Sequence, residues 1–420
     1  MTTQVKPTIE IIPLINKVKI GQSSEMDFLI RITAPKSQSV SERPILNLGL
    51  VLDRSGSMSG DKIKKAKEAT LYCLDQMLDT DRFSLTIFDH RIDVVVPSDH
   101  PNNRSEIKSK IQKIESEGST ALHAAWAQGG KQVAEHMDSK MLNRILLITD
   151  GLANEGETDT DVIVSHAKNL YKRGISTTTI GIGNDFNEEL LVPMAQESGG
   201  NNWFVETAND FKRIFESEME GLVRERFINV FMSISPEKGV DILDVMNDFN
   251  ITNKKKYKLP NLIDEEPLNI IIKTKLPPKG KGKHTLFSVK FEWYLLGTKK
   301  KASLNETAAI EYASKKDVDK ETECFQVQKE IQLLEAARIK KQAIDYLDMG
   351  DYEASTEILQ SMAPIMNSLA AEHNDADLAE EAAYMNTMSD KLQYESERTY
   401  SRKSLRYASV NQQRGKKVKK

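Results

Sequence analysis

The sequence predicts an α/β doubly wound domain that is inserted in a β-sandwich and followed by a C-terminal helical bundle. Strands and helices alternate through residues 43–222, which is typical of a doubly wound parallel sheet. Apolar and polar residues alternate with a period of two in residues 1–42 and 223–315, which indicates sheets with one solvated face. Residues 316–400 have helical periodicity, and residues 401–420 form a basic tail.

The bulk composition is that of a globular protein with two or three domains. The chain has 420 residues, of which 39% are hydrophobic and 29% are charged, and its formal net charge of -4 gives no reason to expect nucleic-acid binding by the whole chain. No apolar run approaches the roughly 18 residues of a membrane span, and the N-terminal residues lack the features of a signal peptide. Cys73 and Cys324 predict no disulfide framework. We therefore expect a cytoplasmic protein.

The most informative stretch is Leu46–Asp61, a buried apolar strand that runs into a loop of small oxygen-bearing residues. Asp53, Ser55 and Ser57 occupy alternate positions in this loop, and Gly56 between the serines permits a tight turn. A carboxylate and two hydroxyls suit hard cations such as Mg²⁺, Mn²⁺ or Ca²⁺ better than zinc or copper. The loop lies between a strand and an amphipathic helix that begins at Asp61.

Two later positions strengthen the prediction of a metal site. Thr120 precedes a helix-forming run, and Asp150 ends a second buried strand, NRILLITDG. The carboxyl ends of parallel strands share one edge of an open sheet, so we expect Asp53, Thr120 and Asp150 to meet in a crevice there.

These residues resemble the metal-ion-dependent adhesion site of the von Willebrand factor A (VWA) family, whose pattern is DxSxS, then a Thr, then an Asp. The resemblance covers roughly residues 44–222 and each motif sits on the element that the family requires. It implies that Ser55, Ser57 and Thr120 bind Mg²⁺ (or Mn²⁺ or Ca²⁺) directly, while Asp53 and Asp150 often act through water. It also implies an open metal position that takes an Asp or Glu of a partner protein and is poorly suited to chemistry.

The leading functional prediction is therefore a metal-dependent protein-protein interaction module or scaffold that is not an enzyme and takes no small-molecule substrate. A Mg²⁺-dependent hydrolase that uses Asp53 and Asp150 is the alternative from another class, with His123 or His90 as the candidate base. An adaptor subunit of a ring ATPase assembly is a variant of the first hypothesis. The order of the predicted domains resembles that of bacterial VWA proteins and of inter-α-trypsin-inhibitor heavy chains, which favours a bacterial scaffold of the same kind.

The remaining segments give weaker signals. Gly181 and Gly183 follow a strand but lack the rest of a dinucleotide-binding fingerprint, so we interpret them as close packing beside the metal edge. Asp185 and Asn187 are expected to be solvated loop residues. The C-terminal helices are expected to form a three-helix bundle that ends near Tyr394. The basic tail is expected to be a disordered end, with an acidic partner as the alternative.

Overall fold

A computed structural model describes residues 6–36, 43–151, 154–183, 186–205, 210–296 and 301–415. The chain divides into two compact units. We call Ser37–Glu225 with Leu295–Lys299 the central unit, and we call Met1–Lys36, Arg226–Tyr294 and Lys300–Lys420 the flanking unit. Within the described residues, no helix is both long enough and apolar enough to cross a bilayer.

The central unit is a six-stranded sheet with helices between its strands. Its strands are β4 (Ile45–Asp53), β5 (Arg82–Phe88), β6 (Ile92–Asp99), β7 (Met141–Thr149), β8 (Ile175–Ile182) and β9 (Asn202–Val205). Its helices are α1 (Asp61–Gln76), α2 (Arg104–Gln112), α3 (Leu122–Glu135), α4 (Thr160–Lys172), α5 (Glu188–Glu197) and α6 (Asp210–Arg224). The strand order is β6-β5-β4-β7-β8-β9, and all neighbours are parallel except β5 and β6. The predicted Rossmann-like fold is confirmed.

Strand β4 lies at the centre of this sheet between β5 and β7, and its later residues are apolar on both faces. Leu50, Val51 and Leu52 of β4 are fully buried, as expected for strands that are covered by helices on both sides. Helix α3 packs very closely on β4, since a Cβ at Gly129 would lie only 2.3 Å from Cγ2 of Val51. The close approach brings the loop before α3 to the carboxyl edge of the central strands.

Helix α5 corrects the prediction of a solvated loop at Asn187. The Asn187 side chain accepts a hydrogen bond from the Leu190 backbone N–H and caps the helix. The sequence obscured this helix because it is short and contains Pro193. The interpretation of Gly181 holds, because a Cβ there would lie 2.5 Å from the Phe186 ring. Asp185 lies outside the described residues.

The flanking unit contains two sheets built from strands that are distant in sequence. Its strands are β1 (Thr8–Pro13), β2 (Lys17–Lys19), β3 (Ser24–Thr33), β10 (Glu225–Pro236), β11 (Asp241–Val245), β12 (Tyr257–Lys258), β13 (Leu262–Ile263), β14 (Pro267–Leu276), β15 (Gly282–Leu295) and β16 (Lys301–Ala313). One sheet has the order β1-β3-β14-β11, and the other has the order β12-β10-β15-β16-β2 with β13 beside β10.

The strands before the central unit pair with strands that follow it. Strand β3 pairs antiparallel with β14 from Ser24 opposite Leu276 to Thr33 opposite Pro267. Phe28 of β3 and Phe287 of β15 pack edge to face with ring centroids 5.1 Å apart, so the two sheets share a buried core.

The C-terminal part of the flanking unit is helical. Its helices are α7 (Lys315–Val318), α8 (Phe325–Asp348), α9 (Tyr352–His373), α10 (Ala376–Leu392) and α11 (Glu395–Gln413). Helix α8 contributes to two cores: Val327 and Ile331 pack with residues of the sheets, whereas Ile344 packs with the other long helices.

Helix α11 corrects the predictions of a three-helix bundle and of a disordered tail. Leu405 and Ala408 are buried in the helical core, and Ser401 is fully buried at the preceding turn of the same face. Arg402 pairs with Asp348, and the Arg398 guanidinium lies over the Tyr352 ring, so basic residues that suggested a solvated end make contacts within the chain. Lys416, Lys417, Lys419 and Lys420 lie outside the described residues.

Candidate metal-binding site

The loop after β4 turns back on itself at the carboxyl edge of the central sheet. Asp53, the last residue of β4, is fully buried, and its Oδ1 accepts a hydrogen bond of 2.8 Å from the Ser55 backbone N–H. A short 3-10 turn at Gly56–Met58 follows, and it places the hydroxyls of Ser55 and Ser57 3.1 Å apart. The alternate polar positions of the motif therefore face the same volume.

Strand β7 brings a second buried carboxylate to this volume. Thr149, its last residue, donates a hydrogen bond of 2.5 Å to Oδ2 of Asp53. The next residue, Asp150, is fully buried, and its Oδ1 accepts a hydrogen bond of 2.7 Å from the Ser57 hydroxyl. One continuous set of hydrogen bonds thus joins Asp53, Ser55, Ser57 and Asp150.

Thr120 reaches the same place from the loop before α3. Its side chain is buried, and a Cβ at Gly151 would lie 3.3 Å from the Thr120 Oγ1 and 3.6 Å from the Asp53 Oδ2. Two backbone hydrogen bonds hold the loop against the β4 loop: the Gly56 N–H donates to the Gly118 carbonyl (3.0 Å), and the Glu117 N–H donates to the Arg54 carbonyl (2.7 Å). The structure therefore brings together all five residues that the sequence predicts for the site.

The electrostatics of this edge favour a cation. Burial raises the pKa of Asp53 to about 6; hydrogen bonds from Thr149 and Ser55 oppose this effect, and the neighbouring Asp150 carboxylate adds to it. Within the part of the chain that the structure describes, no group of three or more His, Cys, Asp and Glu side chains could hold a metal. A cation here would therefore depend on the serine and threonine hydroxyls together with the carboxylates. Such an all-oxygen set fits a hard divalent cation.

Lys62 belongs to this edge, and sequence reasoning missed it. Its Nζ lies 2.5 Å from Oδ2 of Asp150. The residue sits in the first turn of α1, where a lysine is ordinarily interpreted as solvent-facing. One signal in the sequence could have indicated its role. Lys62 is only one residue from the start of α1, and this position lies beside the loop that carries Ser55 and Ser57.

The two histidines proposed as bases for a hydrolase have other partners. Nε2 of His123 lies 3.0 Å from Nδ1 of His166, and burial together with His166 lowers the pKa of His123. Nδ1 of His90 lies 3.2 Å from the carboxylate of Asp89. Neither ring makes a described hydrogen bond to Asp53 or Asp150.

Comparison with known proteins agrees with this fold. Residues 47–217 match the model of the von Willebrand factor type A domain. The uncharacterized protein sll0103 of Synechocystis is 23% identical over 79% of this chain and 80% of its own length. Inter-alpha-trypsin inhibitor heavy chain H3 of Homo sapiens is 28% identical over 41% of this chain, which spans only 20% of that relative.

A solved structure shares the fold over the full length. The von Willebrand factor type A protein from Catenulispora acidiphila superposes with a TM-score of 0.71 at 16% identity, covering 100% of this chain and 99% of that one. The chain therefore contains a von Willebrand factor type A domain. Domains of this type are commonly metal-dependent protein-interaction modules.

Proposed function

We propose that the protein is a metal-dependent interaction module or scaffold that binds an Asp or Glu side chain of a partner protein through a divalent cation. The cation would be held by Asp53, Ser55, Ser57, Thr120 and Asp150. The observation that carries the proposal is the juxtaposition of two buried carboxylates with three hydroxyls at one sheet edge. Mg²⁺ is the proposed ion, with Mn²⁺ or Ca²⁺ as alternatives.

The side chains of this site would leave a bound cation attractive to anions. The three hydroxyls are neutral ligands, so the negative charge near the metal comes only from Asp53 and Asp150. When bound, the metal supplies a Lewis-acidic position for an incoming carboxylate. Helix α1 begins at Asp61, and its N-terminus adds a partial positive charge that also favours a partner's acid.

We propose binding rather than hydrolysis as the function of this edge. A hydrolase needs a base within hydrogen-bond reach of the nucleophile, and the candidate His123 is paired with His166. An adaptor role in a ring ATPase assembly would use the same metal-bound carboxylate and is a special case of the proposal. We also propose a cytoplasmic location, in keeping with the composition.

The flanking unit is proposed to be one β-sandwich that the central unit interrupts in sequence. The pairing of β3 with β14 supports this proposal, because β3 lies inside its sheet between β1 and β14. Deleting residues 1–36 should therefore leave β14 with an unpaired edge and cause aggregation. A soluble deletion variant that melts cooperatively would contradict the proposal.

The binding proposal is tested by capture of partner proteins with and without EDTA. We expect EDTA and Thr120→Ala each to abolish capture without unfolding the protein, which circular dichroism would check. Ser119→Ala is the matched control, because the exposed Ser119 hydroxyl bonds to Glu155 instead. Replacing the partner's acid by its amide should have the same effect as EDTA. A complex that survives all of these changes would move the interaction surface away from this edge.

A further inference from the structure

Lys62 places a positive charge directly on the candidate metal site. Its Nζ lies 2.5 Å from Oδ2 of Asp150, a carboxylate that is fully buried, while the lysine side chain itself is 30% exposed. A Cβ at Gly183, just beyond the end of β8, would lie 3.6 Å from both Cε and Nζ of Lys62. The lysine therefore extends from α1 over the ends of the central strands.

The charges of Asp53, Asp150 and Lys62 do not balance in the protein alone. Asp53 and Asp150 contribute two negative charges and Lys62 contributes one positive charge, which leaves one negative charge when all three are ionised. A divalent cation would change this sum to one positive charge. Without Lys62, the same cation would leave the edge neutral.

We propose that Lys62 is a built-in competitor of the metal: its ammonium compensates Asp150 in the metal-free protein, weakens the affinity for the cation, and keeps the loaded site positive for an acidic partner. The proposal rests on the proposed function, since it concerns the same edge. The competition follows from electrostatics, because a cation entering this volume is repelled by the ammonium and shares the Asp150 carboxylate with it. The positive charge of the loaded site follows from the sum above.

The test measures Mn²⁺ affinity in the full-length protein after chelation and dialysis, using electron paramagnetic resonance of free Mn²⁺. Lys62→Met removes the charge and keeps the length of the side chain. We expect its dissociation constant to be about tenfold lower than that of the wild type, which corresponds to about 1.4 kcal/mol. Lys62→Arg keeps the charge and should stay within about twofold of the wild type.

Lys65→Met is the matched control. Lys65 lies on the same helix, its side chain is also 30% exposed, and it pairs with the surface residue Glu68 at 2.7 Å. This variant should leave the Mn²⁺ affinity unchanged. A gain in affinity in both variants would show a general effect of surface charge and would overturn the role of Lys62.

Thermal melting separates competition from a merely structural ion pair. We expect Lys62→Met to melt below the wild type in EDTA, because Asp150 loses its counter-charge, and to lose this difference at saturating Mn²⁺. A structural ion pair would lower the melting temperature equally in both conditions and leave the affinity unchanged. If Lys62→Met does not fold in EDTA, Lys62→Gln gives the same affinity test, since its amide can still donate to Asp150.

The outcomes distinguish this inference from the proposed function. Equal Mn²⁺ affinity in the wild type and Lys62→Met would overturn the inference and leave the metal-dependent function intact. Binding only in Lys62→Met would support the inference and contradict the proposed function of the wild type. Absence of binding in both would overturn both.

Discussion

Strand β7 has an ionic site near each of its ends, and the two sites differ in what compensates their negative charge. Near its start, Arg144 lies 3.4 Å from Glu218 and 3.0 Å from Glu225, and all three side chains are buried. Glu218 also accepts three hydrogen bonds of 2.6 to 2.7 Å, from Thr178, Asn201 and Trp203. Just beyond the other end, Asp150 shares its edge with Asp53 and with one partly exposed lysine, Lys62.

Among the described side chains named above, each set has two acids and one base, so the two sets have the same formal charge. At the amino end, neutral donors from neighbouring strands solvate the surplus carboxylate, which makes a closed structural site. At the carboxyl end, the donors around Asp53 are two hydrogen-bonding neighbours, Thr149 and Ser55, and burial still raises the pKa of Asp53 to about 6. The comparison teaches that a charge count does not single out a candidate functional site, whereas incomplete compensation of a buried acid does.

The largest effect is expected at the amino-end site of Arg144, Glu218 and Glu225, which we call the closed site. Arg144→Met removes a buried cation that pairs with the buried carboxylates of both Glu218 and Glu225. Breaking such a pair by removing one partner costs about 3 to 5 kcal/mol. We expect this loss in the free energy of unfolding measured by urea denaturation, with Mn²⁺ affinity unchanged in the folded protein.

Arg173→Met is the control for this substitution. Arg173 is an exposed residue that directly follows α4, so its replacement should change the free energy of unfolding very little. If Arg144→Met lowers the free energy of unfolding by less than about 1 kcal/mol, the guanidinium does not stabilise the carboxylates of the amino-end site as proposed. The contrast between the two ends of β7 would then fail.

The next largest effect is expected at the carboxyl-end site of Asp53 and Asp150, which we call the open site. Asp53→Asn should weaken Mn²⁺ binding by about 10- to 100-fold, the usual range for groups that hold a metal or orient its ligands. Its stability in EDTA should change by less than about 1 kcal/mol, because relief of a buried charge offsets the loss of an accepted hydrogen bond. Isothermal titration calorimetry and urea denaturation measure the two quantities.

Asp61→Asn provides the comparison for Asp53→Asn, because Asp61 is an exposed carboxylate in the first turn of α1. It should retain the affinity of the wild type. Unchanged Mn²⁺ binding in Asp53→Asn would place the metal elsewhere in the chain.

A smaller effect is the stabilisation that the metal itself provides. At about ten times its dissociation constant, a ligand that binds only the folded state adds about 1.4 kcal/mol. For a domain of this size the melting temperature should rise by about 2 to 4 °C, which differential scanning fluorimetry with Mg²⁺ or Mn²⁺ resolves. The rise should vanish in Asp53→Ala and Asp150→Ala, and its persistence in both would contradict the assignment.

The open site was predictable from the sequence, whereas the closed site was not. Asp53 ends β4 and Asp150 directly follows β7, two strands whose final residues are mostly apolar, and parallel strands bring such ends to one edge. The contact between Arg144 and Glu218 joins residues 74 positions apart, and no local pattern shows which acid a buried arginine meets. Lys62 was missed for the same reason, because its partner Asp150 lies 88 positions away, just beyond β7.

The sequence patterns also failed to predict two helices, α5 and α11. Helix α5 contains Pro193 in its interior. A proline argues against a helix in a sequence unless the proline lies in the first turn. Helix α11 buries small polar and apolar residues such as Ser401 and Ala408 rather than a row of large ones. Its many basic residues therefore concealed the helical period.

The smallest expected effect concerns His123 of α3, whose ring contacts the ring of His166 of α4. Burial and the neighbouring His166 lower the pKa of His123 below its ordinary value of 6.5, so the unfolded chain binds a proton at this position more readily than the folded chain. Stability therefore falls as pH drops through about 6.5. We expect the melting temperature of the wild type to decrease from pH 7.5 to pH 5.5 more than that of His123→Gln, whereas His136→Gln should behave as the wild type. Equal decreases in all three proteins would mean that the pair of His123 and His166 carries no net charge penalty.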